Sequence, residues 1–371
     1  RLLTCIPAML LCYWCFGYGA WLCLALMLAA GIIAHHQKLS ALLAVGILLL
    51  PATQYPATTW WSKPDLDREY VLSLDVEHYF GNIQKMRKHL ETDRQILWVT
   101  YYRNLYNATH PSEINSPVSL SRNLLAWNQP GTNGLILPVN PSASFLSILF
   151  ANELWFTLGD MTMAEHCAML SMIFSPRNSG SRMIKRLAEI NLVNGDDEAA
   201  LKYLRILDKT LLHKSWAEKR IPGQQTLRVK EWLEKKRRDI PTQDQLRSGN
   251  DAVTSLRNLV ASNAGNLRAY EYLLCYHLLS KDLRSFVEDY VPGKVSSPIF
   301  AEALLIHLAR QGNIRAEELI KYQIPVEIAK EFADYTRLYE AKDTSLKEKY
   351  GKTYWFYYHF ATTEPGKESK P

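Results

Sequence analysis

Cys12-Tyr13-Trp14-Cys15 is a C-x-x-C pair, and His35-His36 follows some twenty residues later. Two such elements are the ordinary raw material of a redox pair, a metal site or a haem ligand. Their context argues against each. No second cysteine pair with zinc-site spacing follows, adjacent histidines leave a helix on different sides, and cysteine in an apolar helix behaves as a small apolar residue. His166, His277 and His307 lie singly within helical patterns, as structural histidines do. Asp196-Asp197-Glu198 falls on a turn, where helix capping accounts for it. No phosphate-binding glycine loop, dinucleotide fingerprint, H-E-x-x-H helix or G-x-S-x-G elbow occurs. The reading is therefore of a protein that is not an enzyme, with no catalytic residue, cofactor or metal assigned. Asn107-Ala-Thr109 is a tripeptide of the kind that arises by chance.

Charged residues with a readable geometry occur instead in two stretches of common grammar. Residues 145–178 form an apolar helical pattern, a stop at Gly159-Asp160, and a second pattern through Ala164, Ala168 and Ser171. Residues 181–212 repeat it through Ile184, Leu187 and Ala188, then Asn194-Gly195-Asp196, then Ala200, Leu204 and Leu207. Gly159 and Gly195 stand 36 residues apart, close to the roughly 34-residue period of a tetratricopeptide repeat. Glycine supplies the left-handed residue that ends the first helix, and the aspartate after it caps the next. Weaker echoes sit at Phe80-Gly81-Asn82, Ser280-Lys281-Asp282 and Gln311-Gly312-Asn313. The expected fold is all-α, with a degenerate tetratricopeptide-like α-solenoid over residues 67–361.

In such an array the first helix of each pair lines the concave face. That places Leu146, Leu149, Glu153, Phe156 and Thr157 of the first repeat, and Arg182, Lys185, Glu189, Leu192 and Val193 of the second, toward a groove. Glu153, Phe156, Arg182, Lys185 and Glu189 are the expected partner-binding residues, suited to an extended peptide whose charges they match. On that reading, reversing Arg182 and Lys185 together weakens binding without unfolding the domain. Two regions interrupt the repeats. His110 to Ser142, rich in Pro, Asn, Ser and Gly, reads as a long loop. Arg228 to Arg238 reads as a charged helix with Val229, Trp232 and Leu233 on one side. Six aromatics in the run Tyr354 to Phe360 would be a hazard if exposed, so they are expected to dock as a terminal cap.

Ahead of the repeats the composition changes abruptly. Lys38 is the only charged residue between Arg1 and Lys63. Leu2 to Ala34 is one uncharged apolar stretch and Leu39 to Ala52 another, which predicts transmembrane helices over residues 1–55. Either one long span precedes a return span from Leu39, or the first stretch breaks at Gly17-Tyr18-Gly19. A juxtamembrane linker, 56–66, follows, with Trp60 and Trp61 suited to the headgroup zone. Residues 362–371 form a polar tail. Lys38 in the short loop places the large domain across the membrane, in a periplasm. The chain starts at Arg, which suggests upstream residues.

The net charge of +6, drawn from 43 basic and 37 acidic side chains, is too diffuse for a nucleic-acid stripe. Cys167 and Cys275 are the only cysteines outside the apolar N-terminus and read as buried free thiols rather than a disulfide framework.

The chain resembles a family of unknown function found in Gram-negative bacteria, whose members are multi-span membrane proteins with a C-terminal tetratricopeptide-like domain. Met183 to Gly195, Ala200 to Leu207, Trp216-Ala217, Gly134 to Pro138 and Tyr350 to Phe360 carry the resemblance. It implies an inner-membrane location and supplies no activity, cofactor or catalytic residue. Together these readings describe a membrane-anchored scaffold of the cell envelope, with a protein or peptide partner and the lipid bilayer as its contacts. Neither nucleic acid nor a small-molecule substrate is expected. The alternative is a component of a membrane enzyme or transporter whose active part lies further toward the N-terminus.

Overall fold

The computed structural model describes residues 63–91, 96–110, 120–128, 131–140, 143–175, 180–243, 251–312 and 314–361. The chain divides into two compact units, Arg1–Leu72 and Ser73–Pro371. The first unit is described only from Lys63, within helix α1 (Lys63–Phe80), and all other described helices belong to the second.

Regular structure among the described residues is entirely helical. The expected transmembrane helices are not supported: no described helix is long and apolar enough to cross a membrane. Helix α1 has the length, at 18 residues, but carries charge throughout, from Asp67 and Arg68 to Asp75 and Glu77. The apolar Phe145–Leu158 helix has 14 residues and reaches about 21 Å, short of the roughly 30 Å hydrocarbon core. Residues 1–55, the linker up to residue 62 and the tail from 362 lie outside the described residues.

After α1 come α2 (Ile83–Leu90), α3 (Leu97–Thr109) and the short α4 (Leu124–Trp127). The two predicted repeats are α5 (Phe145–Leu158) with α6 (Met161–Ile173), and α7 (Ser181–Asn194) with α8 (Asp197–Asp208). The series continues through α9 (Lys214–Glu218), α10 (Leu227–Arg237), α11 (Ala252–Ser262), α12 (Leu267–Leu279), α13 (Leu283–Asp289) and α14 (Pro298–Arg310). It ends with α15 (Ala316–Lys321), α16 (Val326–Glu340), α17 (Leu346–Tyr350) and α18 (Tyr354–Phe360). Neighbours in sequence pack on one another from α5 to α9 and from α11 to α14, and α10 returns to lie on α7.

One turn recurs. A residue in the left-handed region ends the helix, and the next N–H bonds back to a carbonyl five residues earlier. Asn82 does so to Glu77, Asp160 to Trp155, Asp196 to Asn191, Asp282 to His277, Ile324 to Leu319 and Asp343 to Leu338, each at 2.8–3.0 Å. The left-handed residue is Gly81, Gly159 or Gly195 in the first three, and Lys281, Gln323 or Lys342 in the others. In the turns at Asp160, Asp196 and Asp282 the aspartate carboxylate accepts from the N–H three residues on. Stop and restart are thus written into two adjacent residues. The Lys281 side chain reaches away from its own turn, and its Nζ donates to the carbonyls of Tyr358 and Ala361 at the end of α18.

Gly159 does more than turn. A Cβ there would overlap the Asp239 backbone carbonyl, whereas one on Gly195 meets open space. Asp239 lies in the connection after α10, and its carbonyl also accepts from Asn266 Nδ2 at 2.7 Å. The same amide reaches Leu158 O at 2.7 Å, and Arg268 Nη1 reaches Thr157 O at 3.0 Å. The orphan carbonyls at the end of α5 are therefore satisfied by side chains of the α11–α12 region.

The predicted long loop from 110 to 142 is corrected in its described parts. It contains α4, and Leu120, Leu124, Leu135 and Leu137 are core residues. Asn104 and Asn128 exchange reciprocal amide hydrogen bonds at 2.9 and 3.0 Å, Asn104 also donates to Gly134 O at 2.7 Å, and Glu271 accepts from Ser121 N at 2.8 Å. Local composition suggested exposure, but partners distant in sequence bury the segment. Cys167 and Cys275 are buried thiols. The aromatic end docks: Tyr354 and Tyr357 donate to Leu278 O and Leu279 O, and Trp355 Nε1 donates to Glu302 O.

The two repeat glycines make a matched test. Gly195→Ala should lower stability by about 1 kcal/mol, the cost of a left-handed alanine. Gly159→Ala adds displacement of Asp239 and should cost roughly 3 kcal/mol or more. Urea unfolding followed by circular dichroism measures both. Equal midpoints for the two variants would refute the close approach.

Candidate functional site

Helical spacing aligns the charged residues before any tertiary contact forms. Glu153, Phe156 and Thr157 follow at i, i+3 and i+4 on α5, and Arg182, Lys185, Arg186 and Glu189 run down one face of α7. The fold sets these faces together with Asp75, His78 and Tyr79 of α1 and Trp232 of α10. His78, Tyr79, Trp232 and the α5 and α7 residues line one cavity of about 220 Å³. All five expected partner-binding residues, Glu153, Phe156, Arg182, Lys185 and Glu189, are on its wall. Of the other groove positions, Leu192 and Val193 are core.

Most of the charge in this cavity is spent internally. Glu153 is 5 % exposed and bridges two guanidiniums: Oε1 accepts from Arg182 Nη2 at 2.8 Å and Oε2 from Arg186 Nη2 at 2.5 Å. His78 Nε2 approaches Oε2 at 3.5 Å. Arg182 also holds Asp75 in a two-pronged pair at 2.5 and 2.8 Å, and Asp75 accepts from the Tyr102 hydroxyl at 2.5 Å. Arg186 Nη1 reaches Glu189 at 3.1 Å. Burial on its own would raise the Glu153 carboxyl; Arg186 and Arg182 overcome it and hold the group well below the usual range. The guanidinium of Arg186 lies 3.9 Å from the Phe156 ring centroid, and Phe156 stacks on Trp232 at 6.3 Å.

Two cations stand apart from this pairing. Lys236 Nζ sits 4.5 Å from the Phe156 ring centroid, with Phe156 O at 3.5 Å. Burial, with Arg186 and Arg268 adding repulsion, lowers its ammonium to about 8. Lys185 has no carboxylate partner among the described residues. Its Nζ rests 4.2 Å from the Tyr79 ring centroid and 5.2 Å from that of Trp216.

This corrects the expected role of the groove charges. Arg182, Glu153 and Glu189 are paired with one another's neighbours and with Asp75, so they are not available to match a peptide. Of the five expected residues, Lys185 is the one whose charge stays open among the described residues. Sequence reasoning missed Asp75, His78, Tyr79 and Trp232, because the ion pair joining Arg182 to Asp75 spans 107 residues and leaves no local pattern. Arg186 was legible, one turn beyond Arg182 on the same face. Among the described residues, no group of three or more His, Cys, Asp or Glu side chains could hold a metal ion.

Among the described residues the architecture is one of short helical hairpins, with a charge-lined cavity beside α5 and α7. Residues 39–361 match a family of unknown function (DUF6057), and the chain belongs to that family. No curated protein and no solved structure matches it.

Glu153→Gln should cost about 3 kcal/mol, because it leaves two buried guanidiniums with a neutral acceptor. The pH dependence has a defined sign. A carboxyl depressed by folding stabilises above its unfolded value of 4.5, and that contribution is lost as pH falls below it. Unfolding measured between pH 3 and 7 should therefore show a steeper acid limb in the unmodified protein than in Glu153→Gln (about 1.4 kcal/mol for each tenfold difference in proton affinity between the folded and unfolded chain). Parallel limbs would show that Glu153 is not held ionised.

Proposed function

We propose that the protein is a protein-interaction module with tetratricopeptide-like character, which receives an extended peptide over the α5–α7 face. The observation that supports this most directly is Lys185: a cation at a cavity of about 220 Å³, seated on Tyr79 and Trp216, with its charge unneutralised among the described residues. Around it Arg182 and Arg186 are taken up by Asp75, Glu153 and Glu189, so Lys185 is the lining cation left to meet an acid of the peptide. An acidic side chain of the peptide meets Lys185, and its apolar stem packs on Tyr79 and Trp216. The regular hairpins α5–α6 and α7–α8 supply a stiff frame, which keeps the ordering cost of binding on the peptide.

Affinity purification of the full chain in mild detergent, with mass spectrometry, identifies the partner. Its affinity is then measured for Lys185→Glu and for Lys230→Glu on the exposed side of α10. Lys185→Glu should weaken binding at least tenfold (about 1.4 kcal/mol) with unchanged melting temperature, and Lys230→Glu should leave both unchanged. The same affinity in both variants would dismiss this face. Arg182 is unsuitable for the test: reversing it places a third carboxylate beside Asp75 and Glu153, so folding itself would suffer.

A further inference from the structure

The connection from α8 to α9 holds two leucines in solvent. Leu211 is 97 % and Leu212 86 % exposed, and Ile206, just before them on α8, is 48 % exposed. Isolated exposed apolar residues are ordinary, but a consecutive pair with nearly its full surface free is not. The turn that carries them is built. Thr210 Oγ1 donates to Leu207 O at 2.7 Å and accepts from His213 N at 3.2 Å. Lys214 N donates to Thr210 O at 3.2 Å and Ala217 N to His213 O at 2.9 Å. Its base is anchored in a cluster of Ala188, Leu204, Leu207 and Ala217, with Trp216 and Tyr203 packed against it. The leucines therefore do not fold back onto the protein.

Charge surrounds them with one dominant sign. From Arg205 to Arg220 there are five basic side chains, Arg205, Lys209, Lys214, Lys219 and Arg220, against Asp208 and Glu218. Lys209 and Lys214 bracket the turn, and both are exposed without a carboxylate partner among the described residues. A protruding apolar tip bracketed by cations is the reverse of a groove. It suits a soft, anionic surface into which two side chains sink while the flanking lysines stay at the charged plane.

We propose that the Thr210–His213 turn is a lipid-contact element, which inserts Leu211 and Leu212 into an anionic membrane surface with Lys209 and Lys214 on the headgroups. The contact is peripheral and needs no spanning helix. It lies beside the α5–α7 face and shares Trp216 with the seat of Lys185, but its test reads lipid adducts and not peptide affinity, so its failure leaves the peptide reading untouched.

A photo-crosslinking side chain decides it in the full chain. Leu211→p-benzoylphenylalanine is irradiated with vesicles of phosphatidylcholine alone and of phosphatidylcholine with phosphatidylserine. Ile320→p-benzoylphenylalanine is the control, an apolar residue 77 % exposed beside Glu317 and Glu318. Expected is a lipid adduct at position 211 with the anionic vesicles, at least tenfold above position 320. Adding Lys209→Glu and Lys214→Glu should reduce it by roughly fivefold per cation removed. Adducts at 211 no more frequent than at 320, equal adducts with neutral vesicles, or adducts only to a second protein chain would each overturn the proposal. The last outcome would identify the turn as a protein interface.

Discussion

A carboxylate taken out of water must be held by cations or lose its charge, and Glu153 sits under that constraint. Its two oxygens are shared between Arg182 and Arg186, and through Arg182 the network reaches Asp75 and the Tyr102 hydroxyl. Helices α1, α3, α5 and α7 are joined by this one set of contacts. The register of α7 against α5 follows from it, since a shift by one residue would leave a buried guanidinium facing apolar walls. Position of the cavity, orientation of Phe156 beside Arg186, and the placement of Lys185 at its side all depend on that register.

The network also decides what the cavity can do. Paired charges are fixed dipoles: they shape the walls and contribute little net attraction. Lys185 is different because its nearest companions are ring faces rather than carboxylates, and ring faces hold a cation without neutralising it.

Legibility in the sequence followed distance along the chain. Gly159-Asp160 and Gly195-Asp196 announced the ends of α5 and α7 and the starts of α6 and α8, because glycine conformation and aspartate capping act within a few residues. The weaker echo at Ser280-Lys281-Asp282 likewise marks the end of α12 and the start of α13. The 110–142 segment was misread, since its Pro, Asn and Gly content describes local preference while Asn104, Asn128 and Glu271 determine its burial. Apolar runs before residue 56 suggested spanning helices, and the described helices contain none. For the cavity, α5 and α7 contributed their residues through helical periodicity. Asp75, His78 and Tyr79 had no such signature, so it could not be foreseen that Lys185 is the lining cation without a carboxylate partner among the described residues: pairing is a property of the fold.

The hydroxyls of Tyr354 and Tyr357 close the last carbonyls of α12, Leu278 and Leu279, which were joined to the chain 76 and 78 residues earlier. Lys281 reciprocates by closing the carbonyls at the end of α18. During synthesis, a ribosome emitting residues in order presents the end of α12 without these two hydroxyls until α18 emerges. The end of α5 is in the same position, since Leu158 O and Thr157 O are closed by Asn266 and Arg268, 108 and 111 residues later. Helix ends on both sides of the protein are thus tied to partners made much later, the long-range kind of contact that slows folding.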